Sequence, residues 1–77
     1  MEIKENKLTG GFYAVIEKDK QYFLADLSYT LDRGAECMIF RSDKEGKVTD
    51  WEEVYAEYFD IVTKENLRSC VENFLEF

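Results

Sequence analysis

Aromatic and β-branched residues crowd three stretches of the first 42 positions: FYAVIEK at 12–18, QYFLADLSY at 21–29 and ECMIFRS at 36–42. Each has the length and composition of a β-strand and is bounded by polar residues or glycine. KDK between the first two predicts a hairpin, although no Asn-Gly or Asp-Gly pair marks its turn. LDRGA, with Asp32 and Gly34, breaks the pattern before the third strand. The polar SDKEGK follows that strand, with Gly46 suited to a positive φ, and Lys47 and Val48 begin a short return strand. Beyond Val48 the period changes. In TDWEEVYAEYFD, residues 49–60, Trp51, Val54, Tyr55, Tyr58 and Phe59 fall at i, i+3, i+4, i+7 and i+8, the apolar stripe of a helix, and Thr49 with Glu52 makes a capping box. Thr63 is a second N-cap candidate, ahead of a stripe of Leu67, Cys70, Val71, Phe74 and Leu75 that Phe77 extends. The expected fold is α+β: an antiparallel sheet of three or four strands followed by two C-terminal helices packed on one face, in a single small domain over residues 1–77.

Side chains alternate across a strand, so the same pattern assigns faces. Phe12, Ala14 and Ile16 share one side with Phe23, Ala25, Leu27, Cys37 and Ile39, while Tyr13, Val15, Tyr22, Leu24, Met38 and Phe40 fall on the other. Both sides are substantially apolar, and two helices cover only one of them. Either loops and termini cover the second side or it meets another chain, which makes a homodimer through the apolar sheet face one functional reading.

Composition narrows the class. A 77-residue chain buries only about 60% of its unfolded surface, so its core must be efficient, and twelve aromatic residues supply that. The longest apolar run is FYAVI, well short of the roughly 20 residues a membrane helix requires, and MEIKENK has no apolar leader region. Cys37 and Cys70 belong to no CxxC pair, and each lies in an apolar run suited to a buried thiol. A cytoplasmic protein is the expectation.

The formal net charge is −7, distributed unevenly: residues 1–47 sum to −1 and residues 48–77 to −6. Direct binding of nucleic acid or of an anionic membrane surface would need clustered Lys and Arg to replace counterions, and no such cluster is present. If residues 49–60 are helical with the aromatics inward, Asp50, Glu53, Glu57 and Asp60 line the outer face as an acidic ridge with no cation to neutralise it. Those four residues are the candidate partner-binding site, and a protein with a basic surface is the partner they imply. On the same reading Trp51 and Tyr55 are core residues, and replacing either by Ala should cost about 3 kcal/mol or more.

The catalytic inventory is thin. The chain has no histidine, which removes the commonest general base and the commonest transition-metal ligand. Two isolated cysteines do not make a zinc site, neither has a histidine to activate it, and no GxGxxG or GxxxxGK[ST] loop occurs. No catalytic residue, metal ligand set or cofactor is expected.

FRSDKEGKVTDWEEV resembles a degraded EF-hand loop. With Gly46 at the turn position, Asp43, Glu45, Val48 and Glu52 match the family's oxygen ligands and its apolar residue, which would imply calcium. Arg41 stands where the first carboxylate belongs, and a polar hairpin loop accounts for the same residues. In overall look, short, acidic and free of proline, the chain is similar to small proteins of phages and mobile elements, some of which inhibit host proteins by imitating the charge of DNA. The leading expectation is a small, acidic, non-catalytic protein-binding module, an inhibitor or nucleic-acid mimic in its sharpest form. The homodimer and the calcium module are its alternatives.

Overall fold

The structure, a computed structural model, describes residues 1–32 and 34–77. Strands β1 (Lys4–Asn6), β2 (Gly11–Lys18), β3 (Gln21–Tyr29), β4 (Ala35–Ser42) and β5 (Val48–Phe59) form one antiparallel meander in the order β1-β2-β3-β4-β5. Helix α1 (Lys64–Glu76) follows and packs on one face.

This corrects the expected three or four strands with two helices: among the described residues there are five strands and a single helix. The error lies in residues 49–60, which extend the expected two-residue return strand into the twelve-residue β5. Trp51, Val54, Tyr55, Tyr58 and Phe59 satisfy a helical stripe, but they are also the aromatic and β-branched types that suit a pleated surface. Pairing decides between the two. A strand here caps the free edge of β4, with Ile39 opposite Tyr55, Cys37 opposite Glu57 and Ala35 opposite Phe59. A helix would leave that edge open. The ladder is irregular between Ile39 and Arg41, where β5 carries several extra residues before Asp50 pairs with Arg41. The fifth strand, β1, pairs with β2 and orders part of the N-terminal decapeptide.

The three expected strands and the second helix stand where the pattern put them. Lys18 and Gln21 close the β2–β3 hairpin, with Asp19 and Lys20 both at positive φ, 53° and 66°, the backbone of a two-residue turn that follows strand twist. Thr63 caps α1, its Oγ1 accepting from the Asn66 amide at 3.0 Å. Leu67, Cys70, Val71 and Phe74 of the helix are buried against Ala14, Ile16, Phe23, Ala25, Leu27, Cys37 and Ile39 of the sheet. Leu75, assigned to the same stripe, is exposed. Phe74 is the centre of the ring packing, 5.0 Å from Phe23 and 5.8 Å from Tyr55 between centroids.

No buried polar side chain lacks a partner among the described residues, and no helix is long and apolar enough to cross a membrane. The two thiols meet in the core as free cysteines. Cys37 is held well above the ordinary thiol range, first by its hydrogen bond with Cys70 and then by burial.

Candidate functional site

The four acidic residues proposed as a ridge do not form one. On a strand they alternate between faces, and the ladder irregularity separates them further. Asp50 faces Arg41 across the ladder at 4.0 Å, a solvent-exposed pair of little energetic weight. Glu57 is half-buried on the helix side. Its Oε1 accepts from the Tyr55 hydroxyl at 3.2 Å and from Asn73 Nδ2 at 3.0 Å, so it ties β5 to α1. Glu53 and Asp60 remain exposed to solvent, Glu53 in the irregular stretch and Asp60 just past the strand. Between Lys47 and Lys64 the chain still carries Asp50, Glu52, Glu53, Glu57 and Asp60 with no basic residue.

The EF-hand resemblance ends in a turn. The Asp43 carboxylate accepts from the backbone amides of Glu45 at 3.0 Å and Lys47 at 2.9 Å, and the Gly46 amide donates to the Asp43 carbonyl. Asp43 Oδ1 is thus engaged by the loop's own backbone, strands flank the loop on both sides, and Glu52 lies within β5. No group of three potential metal-ligating side chains occurs among the described residues.

The sheet face opposite α1 is where surface chemistry gathers. Directly opposed residues project to the same side, so the register lays out rows across it. Val15, Leu24 and Phe40 make one row, Tyr13, Asp26, Met38 and Ala56 the next, and Ser28, Glu36 and Tyr58 the third. The β4–β5 loop folds over the first row: a Cβ on Gly46 would stand 2.6 Å from the Val15 side chain and 3.8 Å from that of Leu24. A loop therefore covers part of the second apolar face, as one of the two sequence readings required.

The rest of this face is partly covered: Tyr13, Asp26, Ser28, Glu36 and Met38 are half-buried, while Ala56 and Tyr58 are exposed. Trp51 leaves the irregular stretch of β5 and sets its ring edge-to-face on Phe40, 5.4 Å between centroids. It shields Phe40 while remaining 75% exposed itself, and Tyr58, opposite Glu36 farther along the face, is 50% exposed. A shallow groove of about 250 Å³ runs along this side, bounded by Trp51, Phe40 and Met38 with Asp26, Ser28 and Glu36. Asp26 accepts from the Ser28 hydroxyl at 2.7 Å. No Lys or Arg lines the groove among the described residues.

Strand alternation in the sequence already placed Met38 and Phe40 on this face. Asp26, Glu36 and Trp51 were missed as a group, because they come from three different strands and only the register unites them. Compared with known proteins, the chain matches no family model, no curated protein and no solved structure.

Proposed function

We propose that this is a small, non-catalytic, cytoplasmic protein-binding module whose partner presents a basic surface. The observation that carries the reading is Trp51: the chain's one tryptophan, three-quarters exposed, in a sequence segment that holds five acidic residues and no base between Lys47 and Lys64, with Arg41 of β4 paired to Asp50 beside it. The indole shields Phe40 with one edge while most of its surface meets water, and Trp is enriched among residues that dominate interface energetics. Negative potential around it supplies charge complementarity and accelerates encounter with a cationic surface.

The version in which the protein imitates DNA depended on a continuous helical ridge of carboxylates. With Asp50 opposite Arg41 and Glu57 bound by Asn73 and Tyr55, strand β5 presents no such ridge.

The test is affinity capture from the native host at low and at high salt. A basic protein retained at low salt, with an association rate that falls as salt is added, is the expected result. Retention of neutral or acidic proteins alone, or binding indifferent to salt, overturns the reading.

A further inference from the structure

We propose that the groove on the open sheet face, between the Trp51–Phe40 ring pair and the carboxylates of Asp26 and Glu36, receives an arginine side chain of the basic partner. The inference rests on the functional reading above and names the point of contact.

The geometry selects the ligand in three ways. First, Asp26 lies opposite Met38, and Glu36 is two residues from Met38 on the same strand and face. The two carboxylates are therefore diagonal neighbours, about 7 Å apart at their Cβ atoms. A planar guanidinium with five N–H donors addresses both, whereas the point charge of an ammonium does not. Second, the indole of Trp51 is the best aromatic surface for a cation, and guanidinium planes stack on such rings. Phe40 supports the indole from beneath, and the Met38 side chain gives the aliphatic stem an apolar floor. Third, a groove of about 250 Å³ on a sheet face is below the size that encloses a free small molecule. It accommodates one side chain delivered by a protein that makes its other contacts elsewhere.

A second copy of this chain is the wrong occupant. It would bring the same carboxylates, and the acidic run of β5, against Asp26 and Glu36. Repulsion between like charges disfavours that pairing and leaves a cationic partner favoured.

Trp51 makes the proposal directly measurable, because all tryptophan fluorescence of the protein comes from the groove. The probe is a short synthetic peptide of alternating arginine and threonine, compared with the same peptide in which citrulline replaces arginine. Saturable change of Trp51 emission with the arginine peptide is expected, together with amide shifts at Asp26, Glu36, Met38 and Phe40. Loss of the guanidinium charge should weaken binding by about tenfold or more. Asp26→Asn combined with Glu36→Gln should do the same, and Glu36→Gln alone serves if the double variant shows disturbed folding.

Equal binding of the citrulline peptide overturns recognition by charge. Binding whose shifts concentrate at Glu53 and Asp60, with the carboxamide variants unimpaired, overturns the groove but leaves the basic-partner reading standing. Absence of any binding by the arginine peptide also overturns the groove, while the broader reading is decided separately by its own salt-dependent capture.

Discussion

Lys18, at the end of β2, donates from Nζ to the carbonyl of Phe74 at 2.8 Å, and the same ammonium lies 4.6 Å from the centroid of the Phe74 ring. The last turn of α1 has no basic residue, so the cation that its exposed carbonyls attract comes from the sheet. One side chain thereby ties the last turn of the helix to β2, on a carbonyl that also accepts from the Phe77 amide. Lys18→Gln should lower stability by about 1–2 kcal/mol, since it removes a charge-assisted hydrogen bond at a helix C-terminus. Chemical denaturation measures the loss, and hydrogen exchange should show it concentrated in the final turn of α1.

Two adjacent glycines separate backbone strain from steric conflict. Gly10 sits at φ 75° with open space where a Cβ would go, so Gly10→Ala should cost about 1 kcal/mol for the left-handed conformation alone. At Gly11 a Cβ would stand 2.2 Å from the Leu27 carbonyl oxygen, in backbone that cannot swing aside. Gly11→Ala should therefore cost more, roughly 3 kcal/mol, by forcing β2 away from β3. Denaturation midpoints of the two variants, measured side by side, test the ordering.

The strand assignment of residues 49–60 reverses an expectation about Trp51. As a core helix residue it would have cost about 3 kcal/mol or more on truncation. As an exposed ring resting on Phe40, it should cost about 1 kcal/mol or less. Phe74→Ala is the contrasting variant. Phe74 is buried between Phe23 and Tyr55, and its loss should cost about 3–5 kcal/mol, enough to unfold a domain of this size. Thermal melts of both decide it, with Phe74→Leu as the variant that retains most of the volume.

The core thiols give stability a defined dependence on pH. Cys37 keeps its proton in the folded state, raised by its hydrogen bond with Cys70 and by burial, whereas an unfolded thiol titrates near about 8.5. The folded state thus binds more protons than the unfolded one above that value. This contribution is full below about pH 8.5 and declines as pH rises, by about 1.4 kcal/mol per pH unit for one thiol. Tyr55 works in the same direction further into alkali, its hydroxyl pushed up by burial and by the neighbouring Glu57 carboxylate. Urea midpoints measured between pH 7 and pH 10 should fall above about 8.5, and Cys37→Ser should flatten the slope. Thiol labelling of the native protein should proceed only at the rate of its opening.

Much of the fold was legible in local pattern. Three strands, their inward and outward residues, the Thr63 cap and the buried face of α1 were all readable, because a period of two or of 3.6 sustained over eight or more residues is set by side chains near in sequence. Both cysteines could be assigned to the interior for the same reason. Residues 49–60 were not legible, since Trp51, Val54, Tyr55, Tyr58 and Phe59 fit either period. The choice fell to the open edge of β4, to which neighbours in sequence contribute nothing. That choice redistributed the charge as well: a helix would have collected Asp50, Glu53, Glu57 and Asp60 on one side, and the strand scattered them, binding Glu57 to Asn73 and setting Asp50 opposite Arg41. Asp26, Glu36 and Trp51 came together for the opposite reason. Spread over 26 positions of chain, they are neighbours only because strand register carries lateral contacts that no linear period encodes.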